Sequence, residues 1–370
     1  MPEPNRVLIV FSRGMSLRGW QRAGMLDREL SLYQRLRPHC THLTFLTYGA
    51  DDDVALAGAV PDVEVLTNRW RLPANLYSVL APWLHRRALA GTTLVRTNQL
   101  NGAWLAARIA AATGARLIAR GGFLWSDFVA RLHPGWRVAA ARKLERRVYS
   151  AANAVVATTA ADAAVITARY RLDPARVQVI PNFVDTTQFH PGDAARESKR
   201  VVFVGRLDEQ KNVAALIDAM RGLDATLDVV GDGPLRSALK QQAAAAGVTA
   251  QFLGVRPHAE LPALLQRATV FVLPSHYEGH PKALLEAMAC GTPVIGVRAP
   301  GIAEVVTHDE NGWLCGATSG EIHSAIAVLL SDAARRERLG AAAAAYVAKA
   351  CSLDAVAASE LALWRSLAAR

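Results

Sequence analysis

The chain has 370 residues, 51% hydrophobic and 20% charged, with a formal charge of +10. That length exceeds one ordinary core and predicts two domains, while the composition excludes a disordered chain. No run of 18 apolar residues occurs, which excludes a membrane-spanning helix. The opening MPEPNRVLIVF lacks the long apolar stretch of a secretion signal and reads as a buried first strand.

In chain order, short strand-like runs fall at Val7–Phe11, Leu43–Leu46, Val63–Leu66, Thr93–Val95, Arg116–Ala119 and Ala154–Ala157. Helical stretches such as Gly24–Arg37 and Gly102–Thr113 lie between them. Alternation of this kind predicts parallel sheets with helices on both faces. The spacing of Trp136, Arg137, Arg142, Lys143, Arg146 and Arg147 predicts one helix over Arg131–Arg147 with a basic face. A polar, Pro- and Gly-bearing stretch at about residues 186–199 marks the domain boundary. The pattern then restarts at Val201–Val204, Thr226–Val230, Thr249–Leu253, Val270–Leu273 and Pro293–Val297. Two helices, Leu339–Ala350 and Asp354–Ala369, follow with no strand after them.

Charge divides the same way. Residues 1–190 hold 24 Lys and Arg against 13 Asp and Glu, and residues 191–370 hold 18 against 19. A one-sided basic surface suits an anionic partner. With no zinc-finger or RNP-type motif, a membrane face or a phosphate-bearing acceptor fits better than nucleic acid. Cys40, Cys290, Cys315 and Cys351 form no CxxC pair or His/Cys cluster, so reduced thiols in a cytoplasm and no zinc are expected.

The most informative stretch is LPSHYEGHPKALLEAMACGTPVIG, residues 273–296. A strand ends at Pro274, a loop carries Glu278 and Gly279, and Pro281 sits where a helix begins. A helix N-terminus at the carboxyl end of a parallel strand is an anion site, and ligands of open α/β sheets bind at that edge. Gly279 lets a ligand approach the backbone closely. Carboxylates at Glu278 and Glu286 can each accept from two adjacent hydroxyls of a sugar.

This segment resembles the Glu-x7-Glu signature of the retaining glycosyltransferases of family 4. VGRLDEQKN at 204–212, GDGPLR at 231–236, QFLG at 251–254, IAEVVTHDENGWLC at 302–315 and IPNFVD at 180–185 resemble the family's other motifs, in order. The resemblance implies the GT-B fold: two Rossmann-like domains facing each other across a donor-binding cleft. It sets an acceptor domain at 1–188, with helix 353–370 packing back on it, and a nucleotide-sugar donor domain at 189–352. It also implies a hexosyltransferase-type enzyme moving a sugar from a UDP-sugar, or next a GDP-sugar, to a glycan, lipid-linked or small-molecule acceptor. Cell-surface polysaccharide or lipopolysaccharide assembly is the expected setting, in the cytoplasm or on the inner membrane face. The alternative is a catalytically silent protein of this fold that binds a sugar nucleotide or a partner enzyme.

By the same resemblance Arg206 and Lys211 neutralise the diphosphate, Glu286 takes the ribose hydroxyls and Glu278 the donor sugar. Gly205, Gly279, His280, Pro281, Lys282, Ala283 and Leu284 line the donor, and Gly231, Val255 and Arg256 lie towards the base. His258 reads as a surface residue. No cofactor and no metal are expected, because the cations serve the phosphates. In the first half no GxGxxG occurs, which disfavours a dinucleotide enzyme. Where many relatives carry a His, this chain has Arg120-Gly121-Gly122. The acceptor-side candidates are Gly14, Arg18, Asn98, Gln99, Arg120 and Asp127.

Overall fold

The computed structural model describes residues 5–122, 124–132, 135–192 and 196–369. It divides into two units: residues 1–181 with 356–370, and residues 182–355. The breaks fall at 181/182 and 355/356, where the sequence motifs placed them at 188/189 and 352/353.

The first unit is a seven-stranded parallel sheet in the order β3-β2-β1-β4-β5-β6-β7. Its strands are β1 (Arg6–Val10), β2 (His42–Leu46), β3 (Val63–Leu66), β4 (Leu94–Thr97), β5 (Arg116–Arg120), β6 (Ala154–Ala157) and β7 (Val177–Val179). β1, β5 and β6 carry unbroken apolar runs, VLIV, LIA and AVVA, because helices cover both faces. Right-handed crossovers put helices met on the way out to β3 on one face, and those met on the way back on the other. The first group is α1 (Leu17–Arg22), α2 (Leu26–Leu36) and α3 (Asp52–Leu56). The second is α4 (Ala74–Leu84), α5 (Arg86–Leu89), α6 (Ala103–Thr113), α7 (Trp125–Leu132), α8 (Gly135–Ala151) and α9 (Ala160–Tyr170). The basic helix expected over Arg131–Arg147 is therefore two helices, and the residues between them, 133–134, lie outside the described residues.

The second unit holds a six-stranded parallel sheet, β10-β9-β8-β11-β12-β13. The strands are β8 (Arg200–Val204), β9 (Thr226–Val230), β10 (Ala250–Gly254), β11 (Val270–Leu273), β12 (Val294–Val297) and β13 (Trp313–Cys315). Helices α10 (Val213–Ala219) and α11 (Arg236–Ala245) link the outgoing strands, α12 (Leu261–Arg267) and α13 (Lys282–Ala289) the returning ones. Two more, α14 (Ser319–Ser331) and α15 (Ala333–Ala350), complete the layers, α14 beside α10 and α15 beside α13. The core between layers holds Phe203, Phe271, Ile295, Leu284 and Met288, all essentially inaccessible.

The last helix, α16 (Leu353–Ala368), belongs from Val356 onwards to the first unit. Its Glu360 is fully buried and accepts from Arg96 Nη2 at 2.6 Å and from Arg120 Nη1 at 2.9 Å. Burial alone would raise the Glu360 carboxyl, but Arg96 and then Arg120 outweigh it and hold it below the ordinary value of 4.5.

Candidate functional site

Two loops at the carboxyl edge of the second sheet are sewn together. After β8 the chain runs through Gly205 and Arg206 to Asp208, whose carboxylate accepts from the Lys211 amide and caps the turn Glu209–Lys211. After β11 it runs through Pro274 to Gly279. Gln210 joins the two: its carbonyl accepts from His276 N at 2.9 Å, and its side-chain amide donates to Tyr277 O at 2.9 Å. Asn212, at φ 51°, donates from Nδ2 to Pro274 O and Ala317 O.

This stitching brings Lys211 Nζ to 2.6 Å from Glu278 Oε1, both largely shielded from water. Arg206 stands on the same loop as Lys211, with its side chain 65% exposed and its Nε 2.5 Å from Asp208 Oδ2. One shielded ammonium and one accessible guanidinium thus stand on a single loop, a pairing suited to a diphosphate.

The backbone is closely fitted here. A Cβ on Gly231, at φ +128°, would come within 1.9 Å of Gly205 O. One on Gly301, at φ +79°, would meet Gly279 O at 2.2 Å and Glu278 O at 2.5 Å. These glycines let the loops after β9 and β12 press against the cationic and Glu278 loops.

Pro281 caps α13 with extended backbone, and the first internal helix bond runs from Leu285 N to Pro281 O. The amides of Lys282, Ala283 and Leu284 precede that ladder and give the helix start its positive end. His280 is buried; its Nδ1 accepts from Asn182 N at 3.3 Å, and its carbonyl accepts from Asn182 Nδ2 at 2.7 Å. The side chain of His280 therefore ties the loop to the IPNFVD motif.

Glu286 is 3% exposed, one turn into α13, with Oε1 2.9 Å from His258 Nε2. His258 is accordingly not the surface residue its spacing suggests. It is half-buried, and its ring lies 4.9 Å from that of Phe189. An ionised Glu286 can only accept, so the imidazole donates. Nothing in the sequence but the three-residue gap after Val255 could have pointed to it. Val255 itself is exposed, and Arg256 Nη1 lies 3.7 Å from Glu260.

The acceptor-side candidates of the first unit are mostly engaged in holding the fold. Arg120 is buried against Glu360, which corrects its reading as an acceptor ligand: a guanidinium spent on an internal carboxylate offers little to a substrate. Asp127 takes both Nη groups of Arg169, Nη1 at 2.7 Å and Nη2 at 3.0 Å. Asn98 accepts from Tyr33 at 3.3 Å, Gln99 accepts from Gly122 N at 2.9 Å, and Arg18 pairs with Asp52. Gly14 is exposed at φ +80°. Among the described residues no three His, Cys, Asp or Glu gather as a metal set, and no helix is long and apolar enough to cross a membrane.

Both halves resemble known proteins. A family model described as Glycosyl transferases group 1 matches residues 185–346, and one described as Glycosyltransferase Family 4 matches residues 30–188. A D-inositol 3-phosphate glycosyltransferase of Acidothermus cellulolyticus is 32% identical over 237 residues, 57% of this chain and 52% of that protein. The chain spans about half the length of the curated relatives it matches. Among solved structures, Anabaena HepE in complex with UDP and glucose superposes with a TM-score of 0.78 at 20% identity, covering 98% of this chain and 100% of that one. Sucrose-phosphate synthase from Thermosynechococcus elongatus gives 0.81 at 20% identity, covering 99% of each. At that identity the likeness is one of fold, two parallel-sheet α/β domains.

Proposed function

Because this chain belongs to the family 4 type of glycosyltransferases, we propose that it is a retaining, hexosyltransferase-type enzyme using a nucleoside-diphosphate sugar. UDP is the first choice of nucleotide and GDP the second; the solved HepE complexes with UDP and UDP-glucose support that order. The second unit takes the donor and the first the acceptor, a hydroxyl of a glycan, lipid-linked or small-molecule substrate. The setting is cell-surface polysaccharide or lipopolysaccharide assembly, in the cytoplasm or at the inner membrane face.

The observation that carries this reading is the Lys211–Glu278 pair at the carboxyl edge of the sheet, with Arg206 on the same loop as Lys211. In the reaction the bond from the anomeric carbon to the diphosphate oxygen breaks. The bond to the acceptor oxygen forms on the same face, and the acceptor proton passes to the departing phosphate. Charge grows on the diphosphate as it leaves, and Arg206, Lys211 and the start of α13 stabilise it there. Glu278 accepts from donor-sugar hydroxyls, and Glu286 accepts from the ribose. No protein nucleophile and no metal are required.

Calorimetric titration with UDP, GDP and ADP tests the reading. Micromolar binding of one nucleotide is expected, weakened at least tenfold in Lys211→Ala and in Glu286→Ala, about 1.4 kcal/mol or more. Folded protein that binds none of the three would overturn it.

A further inference from the structure

Between Glu64 and Asp127 the chain carries no acidic residue and eight arginines. Helices α4, α5 and α6 lie wholly inside that stretch. Neighbouring α8 adds Arg137, Arg142, Lys143, Arg146 and Arg147. Its one carboxylate, Glu145, is fully buried, accepting from Ser126 N at 2.9 Å and from the Tyr170 hydroxyl. The layer α4-α5-α6-α8 therefore presents many cations and no accessible carboxylate.

The same layer is unusually apolar where it meets water. Helix α4 buries Tyr77 and Ala81 in the core, and on its other side Leu76, Val79 and Trp83 are 45%, 50% and 64% exposed. Spacings of three and four put these three in one stripe along the helix. The stripe continues into Arg86, whose guanidinium carbon lies 5.3 Å from the centre of the Trp83 ring, and Arg87. A cavity of 590 Å³ opens at that end, walled by Arg69, Arg86 and Arg87, with Asp51 as its one carboxylate.

We propose that this face of the first unit docks on an anionic lipid bilayer, with Leu76, Val79 and Trp83 entering the interface and Arg86 and Arg87 meeting lipid phosphates. Basic residues beside exposed Trp and aliphatic side chains are what a headgroup region accepts. Nucleic acid would use the cations, and Trp by stacking, but would gain little from Leu76 and Val79. The inference locates a surface and does not depend on which sugar is transferred.

The test is co-sedimentation of the full chain with zwitterionic vesicles and with vesicles holding about 30% phosphatidylglycerol. Binding to the anionic vesicles alone is expected. It should fall about tenfold or more in Trp83→Glu and in the Arg86→Ala/Arg87→Ala pair, each basic contact contributing about fivefold. Resistance of the first unit to limited proteolysis serves as the folding control and should be unchanged in both variants. No sedimentation with anionic vesicles overturns the proposal. So does sedimentation that Trp83→Glu leaves intact, or tighter retention of single-stranded RNA at the same salt.

Discussion

A carboxylate that is to grip two vicinal hydroxyls works only if it is held in one orientation. Glu286 has that restraint in the His258 imidazole at 2.9 Å, itself resting against Phe189. Removing the ring leaves a buried carboxylate one hydrogen bond short, worth about 1–2 kcal/mol. His258→Ala is therefore expected to raise the nucleotide dissociation constant by about fivefold to thirtyfold. His258→Asn, which keeps a donor, should recover part of the loss. Equal affinity in all three proteins, read by calorimetry, would show that His258 only fills space. Lys211 and Glu278 present the same lesson in another form. The motifs name both residues, yet they stand 67 positions apart, and it is the Gln210 and Asn212 bridges between the two loops that make them a pair.

At the scale of elements, α16 is fixed to the first sheet by charge as well as by apolar packing. Glu360 neutralises one of two buried guanidiniums and shares its oxygens with both. Glu360→Ala strands two buried cations and is expected to cost about 3–5 kcal/mol, seen as a lowered Tm. Glu360→Gln, which keeps the shape and loses the charge, should fall between. The pH dependence follows from the lowered Glu360 value. The stability it contributes is complete above the ordinary 4.5 and is lost as pH falls through the lower folded-state value. Acid unfolding of the wild type should therefore be steeper below pH 4.5 than that of Glu360→Gln.

Most strands were readable because buried parallel strands are short unbroken runs such as VLIV, which few other contexts produce. β7 and β13 were not: each has three residues, and Trp313–Cys315 sits inside a motif whose loop residues dominate the pattern. The start of α13 was legible because Pro281 and Gly291 bracket it. Arg120 misled because a basic residue at a strand's end looks the same whether it meets substrate or a helix 240 residues away.

For the whole molecule, the uneven charge has a concrete origin. It lies in the acid-free run of the first unit, while the second unit is close to neutral, with its arginines largely paired to neighbouring carboxylates. Deleting residues 356–370 removes Glu360 with buried Leu361, Leu363 and Trp364. Limited proteolysis of that truncation should find the first unit degraded, while the second, 182–355, survives as a resistant fragment.

The return of α16 to the first sheet also sets an order on synthesis. A chain leaving the ribosome at about 5–20 residues per second delivers the seven strands of the first unit early, yet α16, which that unit also needs, emerges only after the whole of the second unit. Throughout the intervening translation Arg96 and Arg120 wait without their carboxylate, so the second unit, although encoded later, is ready to fold before the first.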